Sequence, residues 1–193
     1  LDELLPMKLT YGEIEGSSRL RDNICGLYKN QKRDNIVITH GAIGANALVH
    51  ETMISPGDHV ISICPTYQQH YSIPESFGAK LDILWLRPEN DFLPDLEELG
   101  RILRPNTKLV VLNNPNNPTG ALLMGANLEE FVAVVRTSGA YILCDEVYRG
   151  TNQVGNGFAP AMADIYEKGI SVSSMSKVFS LAGIRLGWIA APR

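Results

Sequence analysis

Leu109-Val110-Val111-Leu112 runs straight into Asn113-Asn114-Pro115-Asn116-Asn117-Pro118-Thr119-Gly120. The first four residues are uniformly apolar, as in a short strand covered on both faces rather than one with a wet side. The run that follows is turn chemistry: amide side chains that bond their own backbone, two prolines and a glycine. The same grammar repeats in both directions. Ile36-Val37-Ile38-Thr39, His59-Val60-Ile61-Ser62-Ile63, residues 81–86, residues 140–144 ending at Asp145, residues 170–173 and residues 186–190 all read as strands. Between them, helices are expected from Gly41 to about Ile54, over 66–77 with Pro74 interrupting, over 94–103 and over 128–137. Asp95 and Glu97 suit the first turn of the third of these helices, where carboxylates favour the dipole. Strands of four to six apolar residues alternating with helices predict βαβ units. The fold expected is α/β, a three-layer α/β/α sandwich with a mostly parallel sheet. In such a sheet ligands bind at the carboxyl ends of the strands. Gly41-Ala42-Ile43, Asn117, Asp145 and the loop 174–177 each follow a strand, so four polar clusters are expected to converge on one cleft.

The bulk properties narrow the function. The chain has 193 residues, 45% of them hydrophobic, enough for one domain with a sizeable core. The net charge of -4 comes with no basic run, which argues against nucleic acid. Cys25, Cys64 and Cys144 are odd in number and form no C-x-x-C, so neither a disulfide framework nor a zinc knuckle is indicated. Three reduced thiols fit a cytoplasmic protein. No apolar run approaches the ~20 residues of a membrane span, and no signal-peptide pattern opens the chain. His40, His50, His59 and His70 lack metal-ligand spacing; they read as structural or surface residues, and no metal is expected. The chain opens at Leu1-Asp2-Glu3 and stops at Ala191-Pro192-Arg193 just after an apolar run, so a fragment is expected.

Lys177 stands out within Ser174-Met175-Ser176-Lys177-Val178-Phe179-Ser180-Leu181-Ala182-Gly183-Ile184-Arg185-Leu186-Gly187. A lysine is ordinarily a solvated surface residue. This one lies among small and apolar residues and hydroxyls, and a desolvated lysine becomes a nucleophilic amine. Arg185, eight residues on, has the planar fork suited to a phosphate.

The stretch resembles the cofactor-bearing segment of fold-type I pyridoxal-5'-phosphate (PLP) enzymes in the class I/II aminotransferase family. The resemblance covers nearly the whole chain in the family's order. Asn117-Pro118-Thr119-Gly120 resembles the family's Asn-Pro-Thr-Gly, and Asp145-Glu146-Val147-Tyr148 its Asp-x-x-Tyr. Tyr11, Gly16 and Leu20-Arg21 resemble its Tyr-x4-Gly-x3-Leu-Arg. Gly41-Ala42-Ile43 sits where the family has a small-residue phosphate loop, here without a hydroxyl in Ala42 or Ile43. The resemblance implies PLP held as a Schiff base on Lys177, whose freed amine then moves the Cα proton. It implies Asp145 at the pyridine nitrogen, where the bland alternative is a turn cap. It implies Asn117 and Tyr148 at the phenolic oxygen, against turn chemistry and a core aromatic. Backbone N–H groups of Gly41, Ala42 and Ile43, with Ser174, Ser176 and Arg185, would take the phosphate. Tyr67 would stack on the ring, with Tyr71 as runner-up and core packing as the plain alternative. Tyr11 would reach the phosphate of a neighbouring subunit, which implies a homodimer.

On this resemblance, residues 1–193 are a partial large PLP-binding domain, with 1–16 reaching a partner's site and 36–193 forming the sheet and its helices. The family's small C-terminal domain, which carries the substrate-carboxylate arginine, is expected to be absent. The function implied is an aminotransferase acting on an amino acid and a 2-oxo acid. The alternatives are another PLP reaction on the same scaffold (β-lyase, synthase, decarboxylase or oxidase) or a non-catalytic aminotransferase-like sensor domain.

Overall fold

The computed structural model describes residues 5, 6, 8, 10–151 and 158–192. Helix α1 spans Ser18–Cys25, capped by the Ser17 hydroxyl, which accepts from the Leu20 N–H. Strand β1 (Ile36–His40) leads directly into α2 (Gly41–Met53). Then come β2 (His59–Cys64), α3 (Gln69–Ser76) and β3 (Lys80–Trp85), followed by α4 (Leu96–Ile102) and β4 (Thr107–Asn113). The chain continues with α5 (Gly125–Arg136), β5 (Tyr141–Asp145), the single turn α6 (Met162–Ile165), β6 (Gly169–Ser174) and β7 (Leu186–Ala190).

The seven strands form one sheet in the order β1-β7-β6-β5-β4-β2-β3. β2 pairs parallel with β3 and β4, β4 with β5, and β5 with β6. β7 is antiparallel to both of its neighbours, β6 and β1. The mostly parallel α/β sheet expected from the sequence is therefore present, with β7 alone reversed. That reversal matters for the site: β7 begins at the edge where β1, β4, β5 and β6 end.

The side-chain period of two sorts the core onto the two faces of the sheet. Ile61, Ile63, Val110, Leu112, Ile142 and Cys144 pack with Leu99 of α4 and Leu128, Phe131, Val132 and Val135 of α5. Their strand neighbours Val60, Leu109, Val111, Leu143, Val172 and Ile189 pack with Ala45 and Val49 of α2. β2, β4 and β6 are almost completely covered; in β4 this appears as the apolar run 109–112, whereas β6 also buries Ser171, Ser173 and Ser174. A third cluster joins Ile24 and Tyr28 to Ile36 and Trp188. Within it the buried indole N–H of Trp188 donates to the Tyr28 hydroxyl at 2.8 Å.

Most elements lie within a few residues of expectation. The helix expected over 66–77 begins only at Gln69, because the Thr66 hydroxyl is committed to the His70 ring at 2.8 Å rather than to a first turn. α1 and α6 were not expected at all. Among the described residues, no helix is long and apolar enough to cross a membrane, and no group of His, Cys, Asp and Glu side chains could hold a metal.

Candidate active site

A cavity of about 290 Å³ opens at the carboxyl edge of the sheet. Ala42, Ile43, Tyr67, Asn117, Asp145, Tyr148, Ser174, Ser176, Lys177 and Arg185 all line it. The four clusters at four strand ends thus share one cleft, joined by Arg185 just before the reversed β7. A larger hollow of about 580 Å³ lies at the amino edge, beside Asp34, Glu167 and Pro192, and none of the expected site residues lines it.

Gly41 does not itself line the cavity; it lies against the Arg185 guanidinium that does. The φ of Gly41 is +70°, which favours glycine, and a Cβ there would stand 2.6 Å from Arg185 Nη2 and displace the guanidinium. The first-turn N–H groups of α2 have no intrahelical acceptor and lie at the positive end of the helix dipole. Gly187 on β7 makes this close approach possible: a Cβ on it would meet the Gly41 carbonyl carbon at 2.3 Å and the Ala42 nitrogen at 2.6 Å. Arg185 is itself left-handed, at φ 55°, and its Nη1 donates to the Ala182 carbonyl at 2.8 Å. A non-glycine residue held there stores on the order of 1 kcal/mol or more, of the kind found around ligand sites.

Asp145, at the end of β5, is 4% exposed and heavily bonded. Its Oδ2 accepts from Asn46 Nδ2 at 2.8 Å and pairs with His70 Nε2 at 3.2 Å. Its Oδ1 accepts from the Val147 N–H at 3.2 Å. The turn-cap contact and the pocket position therefore belong to the same side chain. Asn113 ties this strand end to its neighbour: its Nδ2 donates to the Asp145 carbonyl at 2.9 Å, and its Oδ1 accepts from the Asn117 N–H at 2.6 Å.

Lys177 departs from expectation. It is exposed, not desolvated by its neighbours; the apolar Phe179 and Leu181 that follow it are also turned outward. Its Nζ stands 5.8 Å from the centre of the Tyr148 ring, so the two side chains meet over the cavity. Ser174 is buried, and its Oγ accepts from the Ser176 N–H at 3.3 Å. Tyr67 is about half exposed at the mouth, edge-on to His70 with ring centroids 6.2 Å apart. Tyr71 does not line the cavity. Tyr11 is fully exposed and lies outside it. Of the arm expected over 1–16, residues 1–4, 7 and 9 fall outside the described residues.

Sequence reading missed Asn46, His70, Gln69 and Asn113. Of the two readings for His70, structural or surface, the structural one holds: it is fully buried and bridges Thr66 to Asp145. Gln69 Nε2 donates to the Ile43 carbonyl at 2.7 Å and fastens α3 to the first turn of α2. The available signal was periodicity: Asn46 falls on the face of α2 that buries Ala45 and Val49, where an unpaired amide is costly.

The residues match the family model "Aminotransferase class I and II" over positions 6–193. A PLP-dependent aminotransferase from Streptococcus suis superimposes with a TM-score of 0.95 at 48% identity, covering 100% of this chain and 50% of that one. An aspartate aminotransferase from Pyrococcus horikoshii is 33% identical over 94% of this chain and 48% of its own length. A capreomycidine synthase from Streptomyces vinaceus is 31% identical over 99% of this chain and 49% of its own length. The chain spans about half the length of the curated relatives it matches. A match over nearly every residue, on a sheet whose carboxyl edge gathers Asn117, Asp145, Tyr148, Lys177 and Arg185, means that the chain belongs to the class I and II aminotransferase family.

Proposed function

We propose that these 193 residues form a partial large domain of a PLP-dependent aminotransferase that moves an amino group between an amino acid and a 2-oxo acid. The observation that carries the reading is a primary amine, a buried carboxylate and an anion cradle facing one cavity: Lys177, Asp145, and the start of α2 with Arg185. These groups fit the cofactor. The cradle takes a phosphate, and the carboxylate end offers an acceptor to a protonated ring nitrogen. Two buried side-chain oxygens on the cavity wall, Asn46 Oδ1 and Gln69 Oε1, have no partner among the described residues.

When bound, PLP supplies an electron-accepting ring conjugated to the substrate's amino group. Lys177 would hold it covalently, and its Nζ is the base placed to move the substrate's Cα proton. Asp145 would meet the ring nitrogen and favour its protonated form. Asn117 and Tyr148 would hydrogen-bond the phenolic oxygen. The N–H groups at Gly41, Ala42 and Ile43, the hydroxyls of Ser174 and Ser176, and the Arg185 guanidinium would bind the phosphate. Tyr67 would pack on the ring face and fix its plane.

The reading extends to a cytoplasmic homodimer in which Tyr11 serves the partner's phosphate. It is supported by Tyr11 and Ile14, whose side chains stand fully in solvent, and by three free thiols. Residues 1–16 would be the exchanged arm and 36–193 the core of the domain. A second reading, a synthase on the same scaffold, has one observation in its favour: the capreomycidine synthase likeness is nearly as high as that to the aspartate aminotransferase. The two are separated by incubating the full-length gene product with PLP and a panel of amino acids, with and without 2-oxo acids. Amino transfer that depends on the 2-oxo acid supports the aminotransferase. Substrate consumption that proceeds without an acceptor overturns it.

A further inference from the structure

Asn46 is 1% exposed, on the sheet-facing side of α2. A buried amide costs ~1–3 kcal/mol unless its groups are paired, so its partners show what it is for. Its Nδ2 donates to Asp145 Oδ2 at 2.8 Å. Turning the amide over would set oxygen against oxygen, so the orientation follows from the chemistry. Its Oδ1 is buried and without a partner among the described residues, and the residue lines the cavity.

The lone pairs of Asp145 then become countable. A carboxylate has about four acceptor positions, two on each oxygen. On Oδ2 both are taken, by Asn46 and His70. On Oδ1 the Val147 N–H takes one, and one position is left. We propose that Asn46 is a positioning residue for the ring-nitrogen contact: by filling Oδ2 it fixes the Asp145 carboxylate so that Oδ1 presents its remaining acceptor position to the cavity. Asn46 Oδ1, unpaired beside it, adds a second acceptor at the same end of the cavity. This inference rests on the PLP reading above and concerns only the end of the site that meets the ring nitrogen.

The test compares two ligands on the apo form of the full-length gene product: PLP, and its 1-deaza analogue, in which the ring nitrogen is replaced by C–H. Dissociation constants are read by absorbance or fluorescence titration for wild type, Asn46→Leu and Asn46→Asp. Asn46→Leu should weaken PLP by about tenfold or more, the scale of one hydrogen bond to a charged group. It should change the analogue by less than about twofold, since the analogue makes no ring-nitrogen bond. Asn46→Asp keeps the shape but sets a carboxylate against a carboxylate, and should also lose PLP selectively. If Asn46→Leu fails to fold, Asn46→Asp carries the same comparison. Equal losses for both ligands, or no loss for PLP, would overturn the proposal while leaving the cofactor assignment intact. A wild-type protein that binds no PLP would overturn the cofactor reading, and this inference with it.

Discussion

Replacing Gly187 by alanine is expected to damage the cofactor site from the far side of a strand. The new Cβ would lie 2.3 Å from the Gly41 carbonyl carbon and 2.5 Å from its oxygen, where ordinary contact begins at 3.4 Å. Both neighbours are backbone, so no side chain can swing away; the start of α2 must retreat by about 1 Å, a displacement able to cost ~100-fold when it falls on reacting groups. Overpacking of this kind costs ~1–3 kcal/mol. For a chain of this size that lowers Tm by roughly 3–10 °C. Because the retreating atoms carry the N–H groups expected to bind phosphate, PLP affinity should fall by about tenfold or more, the worth of one charge-assisted bond. The assay is thermal unfolding together with PLP titration. Gly100→Ala on α4 is the control, since a Cβ there meets nothing within 4 Å. If Gly187→Ala melts and binds like wild type, the argument that β7 holds the α2 cradle in place is wrong.

Two buried groups should tilt the pH–stability curve in opposite directions. Burial, helped by the nearby His70, pushes His50 down to about 4 from 6.5. Its contribution is present above pH 6.5 and is lost as pH falls through 4, because only the unfolded chain protonates readily. Both His50 ring nitrogens are buried without partners among the described residues, so His50→Leu should be neutral or stabilising near pH 7. Its advantage over wild type should grow on acidification to pH 4, and melting curves that stay parallel would contradict this. Burial pushes Glu146 up to about 7, against the pull of the adjacent Arg149. The stability it contributes is full below pH 4.5 and is lost as pH rises through 7. Glu146→Gln should remove that decline while lowering stability overall, because Arg149 loses its 3.0 Å partner in the interior. An unchanged slope between pH 4.5 and 7 would contradict the assignment.

Much of this was legible in the residues because parallel strands buried on both faces leave an unmistakable apolar run, and polar loops after such strands must share an edge. The run 109–112 and its asparagine-rich sequel placed both β4 and one wall of the cleft. Strand direction was not legible: nothing in 186–190 distinguishes a reversed strand from a parallel one, since that depends on the connection. α1 is short and polar on average, and its apolar face is carried by Leu20 and Ile24 alone, one turn apart, with Cys25 beside them. Lys177 was read as desolvated from its neighbours in sequence, but its tight loop turns Phe179 and Leu181 outward. Asn46 and His70 stayed hidden for a different reason. Each is an ordinary polar residue until the fold brings it against Asp145, 99 and 75 positions away.

The central claim is that Lys177 carries the cofactor. It is tested most directly by adding PLP to the full-length gene product, recording the absorbance, reducing with borohydride and mapping the labelled peptide in wild type and Lys177→Ala. The account predicts a bound-cofactor band and a pyridoxyl label on Lys177 in wild type, with no label in the variant. A label on another residue, a label that persists in Lys177→Ala, or a folded wild-type protein that takes up no PLP would contradict it.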